Sequence, residues 1–102
     1  MSTVREITHM AESDAFITNN PLAIIFFGSA TCGHCQHITP FFGQLARQYP
    51  NVAFGHVETT RVKTEGADSV PVFVAYKNGR PLPPMLGADE RGLKELLTRL
   101  TQ

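Results

Sequence analysis

Tryptophan is absent from the 102 residues, and cysteine occurs only twice, at Cys32 and Cys35. Two thiols are too few for a disulfide-dense secreted scaffold or a four-thiolate zinc site. Net charge is missing as well, because nine Lys plus Arg balance nine Asp plus Glu, which removes the electrostatic footprint of a nucleic-acid or polybasic membrane binder. The longest apolar run, Leu22 to Phe27, is far below the roughly 20 residues that span a bilayer. Met1 to Asp14 lacks the apolar core and basic flank of a secretory leader. A complete chain of this kind is expected in the cytoplasm, acting on proteins or small molecules. No repeat, low-complexity tract or linker interrupts the chain, so one domain over 1–102 is expected, burying somewhat over ~60% of its unfolded surface. No strand reads as a dimer surface, and a monomer is expected.

What is present is a clear alternation of patterns. Val4 to Ile7 reads as an edge strand and Met10 to Asn19 as a helix with Ala15, Phe16 and Ile17 on its apolar face. Leu22 to Phe27, opened by Pro21 and closed by Gly28, is the continuous apolar run of a strand buried on both faces. Ile38, Phe41, Phe42, Leu45, Ala46 and Tyr49 recur at helical spacing, predicting a helix from about Cys32 to Tyr49, kinked where Pro40 removes a hydrogen bond. Val52 to Val57 is the next strand, and strand, helix, strand in this order implies a parallel pair. Thr59 to Ser69 is polar, with room for one short helix. Val72 to Tyr76 and Pro81 to Leu86 flank Asn78-Gly79, a strong hairpin signal. Asp89 to Thr101 closes the chain as a helix with Leu93, Leu96, Leu97 and Leu100 on one face. The class is α/β, a central mixed sheet flanked by helices.

The chemistry concentrates in Cys32-Gly33-His34-Cys35. Directly after a buried strand, this segment places the first sulfur at a helix N-terminus, where the dipole and free N–H groups favour a thiolate. Cys32 is then the attacking thiol, and Cys35, one turn deeper, resolves the mixed disulfide. His34 can donate to or lie near the Cys32 sulfur, so the Gly33-His34 dipeptide sets the redox poise. Cys32, Cys35 and His37 have no evident fourth partner for a structural zinc, and Gln36 excludes a c-type haem attachment, which needs histidine immediately after the second cysteine.

The buried strand, Cys-Gly-His-Cys, the proline-containing helix, Ser69-Val70-Pro71-Val72-Phe73, the Lys77-Asn78-Gly79 hairpin, Leu86-Gly87-Ala88 and the amphipathic last helix together resemble the thioredoxin superfamily over nearly the whole chain. The Gly-His dipeptide resembles that of protein disulfide isomerase domains. The resemblance implies a substrate groove at Thr31, Val70, Pro71 and Gly87. Pro71 would be the family's cis-proline, against a trans proline opening a strand, and Gly87 reads equally as a plain turn glycine. It further implies protein disulfide or dithiol substrates, a recycling reductase or oxidase, and no metal or organic cofactor.

Two departures stand out against that resemblance. Thr31 occupies the place of the usual Trp, leaving a less aromatic rim. The buried acid that many members carry six residues before the first cysteine is here Phe26, and its lysine partner is expected at Phe54. An apolar surround raises the Cys35 pKa, so slower resolution is expected, with water, His34 and Glu58 open as replacement bases. His56 is expected on an exposed strand face. The leading function is thiol–disulfide exchange with reduction favoured in the cytosol. Alternatives are an oxidase or isomerase, a redox-switched binding module, and a metal carrier formed by paired chains.

Overall fold

The computed structural model describes residues 3–59 and 71–102. Val70 and the helix expected within 59–69, apart from Thr59, lie outside the described residues. Along the chain run β1 (Val4–Ile7), α1 (Met10–Asn19), β2 (Leu22–Gly28), α2 (Gly33–Gln48), β3 (Ala53–Glu58), β4 (Val72–Lys77), β5 (Arg80–Pro81), β6 (Met85–Leu86) and α3 (Glu90–Thr101). The strands form one mixed sheet in the order β1-β3-β2-β4-β5, with β6 also on β4. β3 pairs in parallel with β1 and β2, as the β2-α2-β3 order requires, and β4 runs antiparallel to β2.

Burial follows the two-residue period of β2, the central strand. Ile24 and Phe26 point to the α2 and α3 side, with Ile38, Phe42, Leu45, Leu93, Leu96 and Leu97. Ala23 and Ile25 point the other way, toward Phe16 of α1 with Ile7 and Val57. Both faces of this strand are thus covered, which is why its sequence carries no polar alternation. On the first face Phe26 stacks on Phe73 at 4.8 Å between centroids and meets Phe42 edge-on at 5.4 Å, geometries that aromatic quadrupoles favour.

Several expectations change at the level of packing. Ala15 is exposed, whereas Ser13 and Phe16 are buried and Ile17 half-buried. Three consecutive helical residues fan over about 200°, too wide for one contact face. The return strand expected at Pro81 to Leu86 is broken into β5 and β6 around Leu82-Pro83-Pro84, because proline supplies no ladder donor. Asn78 and Gly79 both take positive φ, 53° and 82°, the twist a two-residue hairpin turn demands. α2 continues through Pro40. One residue earlier, the Thr39 hydroxyl donates to the Cys35 carbonyl at 2.6 Å.

The β2–β3 register sets the cross-strand neighbours of this cluster. The residue across from Phe26 is His56, whereas Phe54 lies opposite Ile24. His56 is not an exposed strand residue, since its side chain is 20% exposed and its ring tilts on Phe26 at 5.1 Å. Its Nδ1 bonds Glu6 at 2.8 Å. No helix among the described residues is long and apolar enough to cross a membrane.

Phe26 therefore anchors the core from the middle of the sheet. Phe26→Ala is expected to lower stability by about 3–5 kcal/mol, read as a shifted urea midpoint with unchanged slope.

Candidate active site at the head of α2

The site forms where β2 leaves the sheet and α2 begins. Gly28 ends the strand, and its carbonyl accepts from Thr59 N–H at 2.9 Å, tying the exit to the end of β3. Ser29 then folds the connection on itself. Its hydroxyl shares a 2.8 Å hydrogen bond with the Thr31 hydroxyl, and its carbonyl accepts from Cys32 N–H at 3.1 Å. Gln36 reaches back from α2 to the Ala30 carbonyl at 2.5 Å.

This connection delivers Cys32 to the N-cap position of α2, with extended backbone at φ −90° and ψ 117°. Its sulfur takes the role a serine or aspartate oxygen usually fills, accepting from Cys35 N–H at 3.2 Å. Cys32 is half-buried, and hydrogen bonding from the Cys35 thiol, then from the Cys35 and His34 amides, holds its pKa below the ordinary thiol value against the opposing effect of burial. Cys35 faces inward and is 2% exposed. Burial, followed by its own hydrogen bond to the Cys32 sulfur, pushes its pKa up to about 11, although Ser29 N–H donates to it at 3.5 Å. Two thiols one turn apart are thus chemically opposite.

Of the other residues singled out in the sequence, Gly33 and His34 are exposed at the start of α2. His34 acts on Cys32 through its backbone N–H. Thr31 is exposed beside them. Pro71 is buried at the start of β4, and its carbonyl accepts from Gly87 N–H at 2.9 Å. Gly87 has φ +92°, a conformation that makes glycine the natural occupant. Since Val72 pairs with Phe27, the Pro71–Gly87 pair sits at the same end of the sheet as the Gly28–Cys32 connection. His37 is exposed on α2, and no group of three or more potential metal ligands occurs among the described residues.

Gly28 matters more than its place at a strand end suggests. A Cβ there would lie 2.6 Å from the Phe26 ring and 3.3 Å from Cys35 Sγ, so only glycine lets the strand pass this close to the buried sulfur. The signal in the sequence was a glycine between a buried strand and the cysteine loop, but the atoms it makes room for are the Phe26 ring on the same strand and the Cys35 sulfur in the first turn of α2. Glu58 is the other residue whose place was not fixed in advance. Facing Gly28 in the β2–β3 register, it accepts from Ala30 N–H through both carboxylate oxygens, at 3.0 and 3.2 Å.

A half-buried and a buried thiol at the head of one helix, on a mixed sheet with helices on both sides, define a dithiol–disulfide oxidoreductase. The thioredoxin family model matches residues 4–99. Thioredoxin 1 of Plasmodium falciparum is 34% identical over 100 residues, covering 94% of this chain and 96% of that protein. A solved structure of Plasmodium falciparum thioredoxin superposes with a TM-score of 0.88 at 34% identity, over 94% of this chain and 98% of that one. Fasciola hepatica thioredoxin gives 0.90 at 28% identity, over 95% and 99%. The chain belongs to the thioredoxin family.

Two outcomes test the site's geometry. Iodoacetamide is expected to modify Cys32 with a midpoint below the ordinary ~8.5 of a free thiol, while Cys35 in the same reduced protein stays unmodified until about pH 11. Mass spectrometry across pH reads both, and equal reactivity of the two thiols would contradict the assignment. Gly28→Ala is expected to cost about 1–3 kcal/mol by crowding the Phe26 ring, seen as a lowered Tm.

Proposed function

We propose that this protein reduces disulfides in protein substrates, with Cys32 as the attacking thiol and Cys35 as the resolving one. The observation that carries the reading is the split between the two sulfurs, one half-buried and capped by amide hydrogens, the other buried with a raised pKa. The Cys32 thiolate attacks one sulfur of the substrate disulfide and expels the other as a thiolate. Cys35, once deprotonated, attacks Cys32 Sγ, closes the Cys32–Cys35 disulfide and expels the second substrate thiolate. Two electrons pass from protein to substrate, and a recycling reductase returns them. No metal or organic cofactor takes part.

Thr31, Pro71 and Gly87 form the groove in which an extended substrate segment lies across Cys32, and Val70, which the family resemblance adds to it, lies outside the described residues. Support comes from the Pro71–Gly87 hydrogen bond and the shared end of the sheet. Gly33 and His34 tune the potential. A reducing role fits a cytoplasmic compartment, where thiols are kept reduced. His34 favours a second reading, oxidase or isomerase work, because any further stabilisation of the Cys32 thiolate makes the disulfide more oxidising.

The deciding measurement is the reduction potential of the Cys32/Cys35 couple in glutathione buffers, followed by alkylation and mass. A value near about −270 mV is expected for reductive work, whereas one near about −180 mV would transfer the assignment to the oxidase or isomerase reading.

A further inference from the structure

Resolution requires the proton of a thiol that is buried away from solvent, and the chain must take it somewhere. Beside the Cys35 sulfur lies a cavity of about 200 Å³ bordered by Phe26, Ser29, Cys35, Thr39, His56 and Glu58. A water occupies about 30 Å³ of liquid and needs two to four polar partners. Thr39, His56 and Glu58, three residues with polar side chains, line this space together with Cys35.

Glu58 is the one carboxylate among the described residues bordering this cavity. Its position is fixed rather than incidental. The Ala30 N–H binds both its oxygens, and the preceding amide, Ser29 N–H, binds the Cys35 sulfur. Thiol and carboxylate are therefore held on consecutive peptide groups of one short connection. The electrostatics point the same way, since the Glu58 charge itself disfavours a Cys35 thiolate. That penalty vanishes once the carboxylate takes the proton.

We propose that Glu58 accepts the Cys35 proton through water in this cavity when Cys35 resolves the mixed disulfide, an inference that rests on the exchange reading above. The Cys35 S–H bond breaks and its proton passes through water to a Glu58 oxygen. The freed sulfur pair forms the bond to Cys32 Sγ as the bond from Cys32 to the substrate sulfur breaks, and the departing thiolate takes a proton from Glu58 or solvent. Among the described residues, the titratable groups around Cys35 are Cys32 at the N-cap of α2, Glu58 and His56 on β3, and Glu6 on β1, bonded to His56. β2 and β4 bring Phe26 and Phe73 to this side. His56 is the less suited acceptor, because Glu6 engages its Nδ1 and its ring is packed on Phe26.

The test uses the full reduced chain in stopped flow with dithiobis(nitrobenzoate), an aryl disulfide that releases one coloured thiolate when Cys32 attacks and a second when Cys35 resolves. Cys35→Ser identifies the first phase. Glu58→Gln keeps an oxygen for the Ala30 N–H, so its first phase is expected within about two-fold of native. Its second phase should fall about 100-fold at neutral pH, the scale of a positioned proton acceptor, and then rise about ten-fold per pH unit as hydroxide takes over. Glu58→Asp should restore part of the rate. A second phase unchanged in Glu58→Gln, an equal fall in both phases, or slowing by His56→Gln alone would overturn the role of Glu58. Absence of the first phase in the native chain would instead overturn the exchange reading on which it rests.

Discussion

The hydrogen bond from Cys35 N–H to the Cys32 sulfur organises this molecule's chemistry. A sulfur at an N-cap satisfies one of the donors that every helix leaves open in its first turn, and in return those donors stabilise the sulfur as an anion. The bond exists only because β2 ends at a fixed point. The strand is locked between β3 and β4, so its exit through Gly28 and Ser29 delivers Cys32 to the head of α2 in one position. Structural stability and thiol activation therefore draw on the same contact.

The second sulfur is governed by the opposite physics. Cys35 shares the core face with Phe26, Ile38 and Phe42, and that surround penalises its ionised form. A raised pKa protects the Cys35 thiol from non-specific reagents but makes proton removal part of the reaction. The Phe26 cluster shows how the chain treats this boundary. Rings from β2, α2 and β4 pack together on this face, while Glu58 and His56 of β3 border the cavity beside Cys35.

The Pro71–Gly87 hydrogen bond extends the site along the sheet. It joins the residue that precedes β4 to the turn between β6 and α3, so a backbone hydrogen bond ties together two segments of the groove proposed for substrate. Thr31 stands exposed beside Cys32 and brings no aromatic side chain. Its hydroxyl is spent on Ser29, which stiffens the connection that carries Cys32.

The sequence by itself determined the elements and the chemistry that depends on local order. The apolar run 22–27, the helical spacing from Ile38 to Tyr49 and the Asn78-Gly79 turn each declare a period or a backbone twist that neighbouring residues must share. Cys32-Gly33-His34-Cys35 directly after a buried strand likewise implies a thiol at a helix start. Tertiary structure decided what depends on register and on approach between distant segments. It placed His56 across from Phe26 and Phe54 across from Ile24, a choice the apolar pattern leaves open because a parallel pair can slide by two residues without changing which face is buried. It split the last hairpin strand around Pro83-Pro84, turned Ala15 to solvent, and gave Gly28 its reason for lacking a side chain. Glu58 was one of several open choices in the sequence. Only the β2–β3 register, which sets it opposite Gly28, and the amide of Ala30 bring its carboxylate to the cavity beside Cys35.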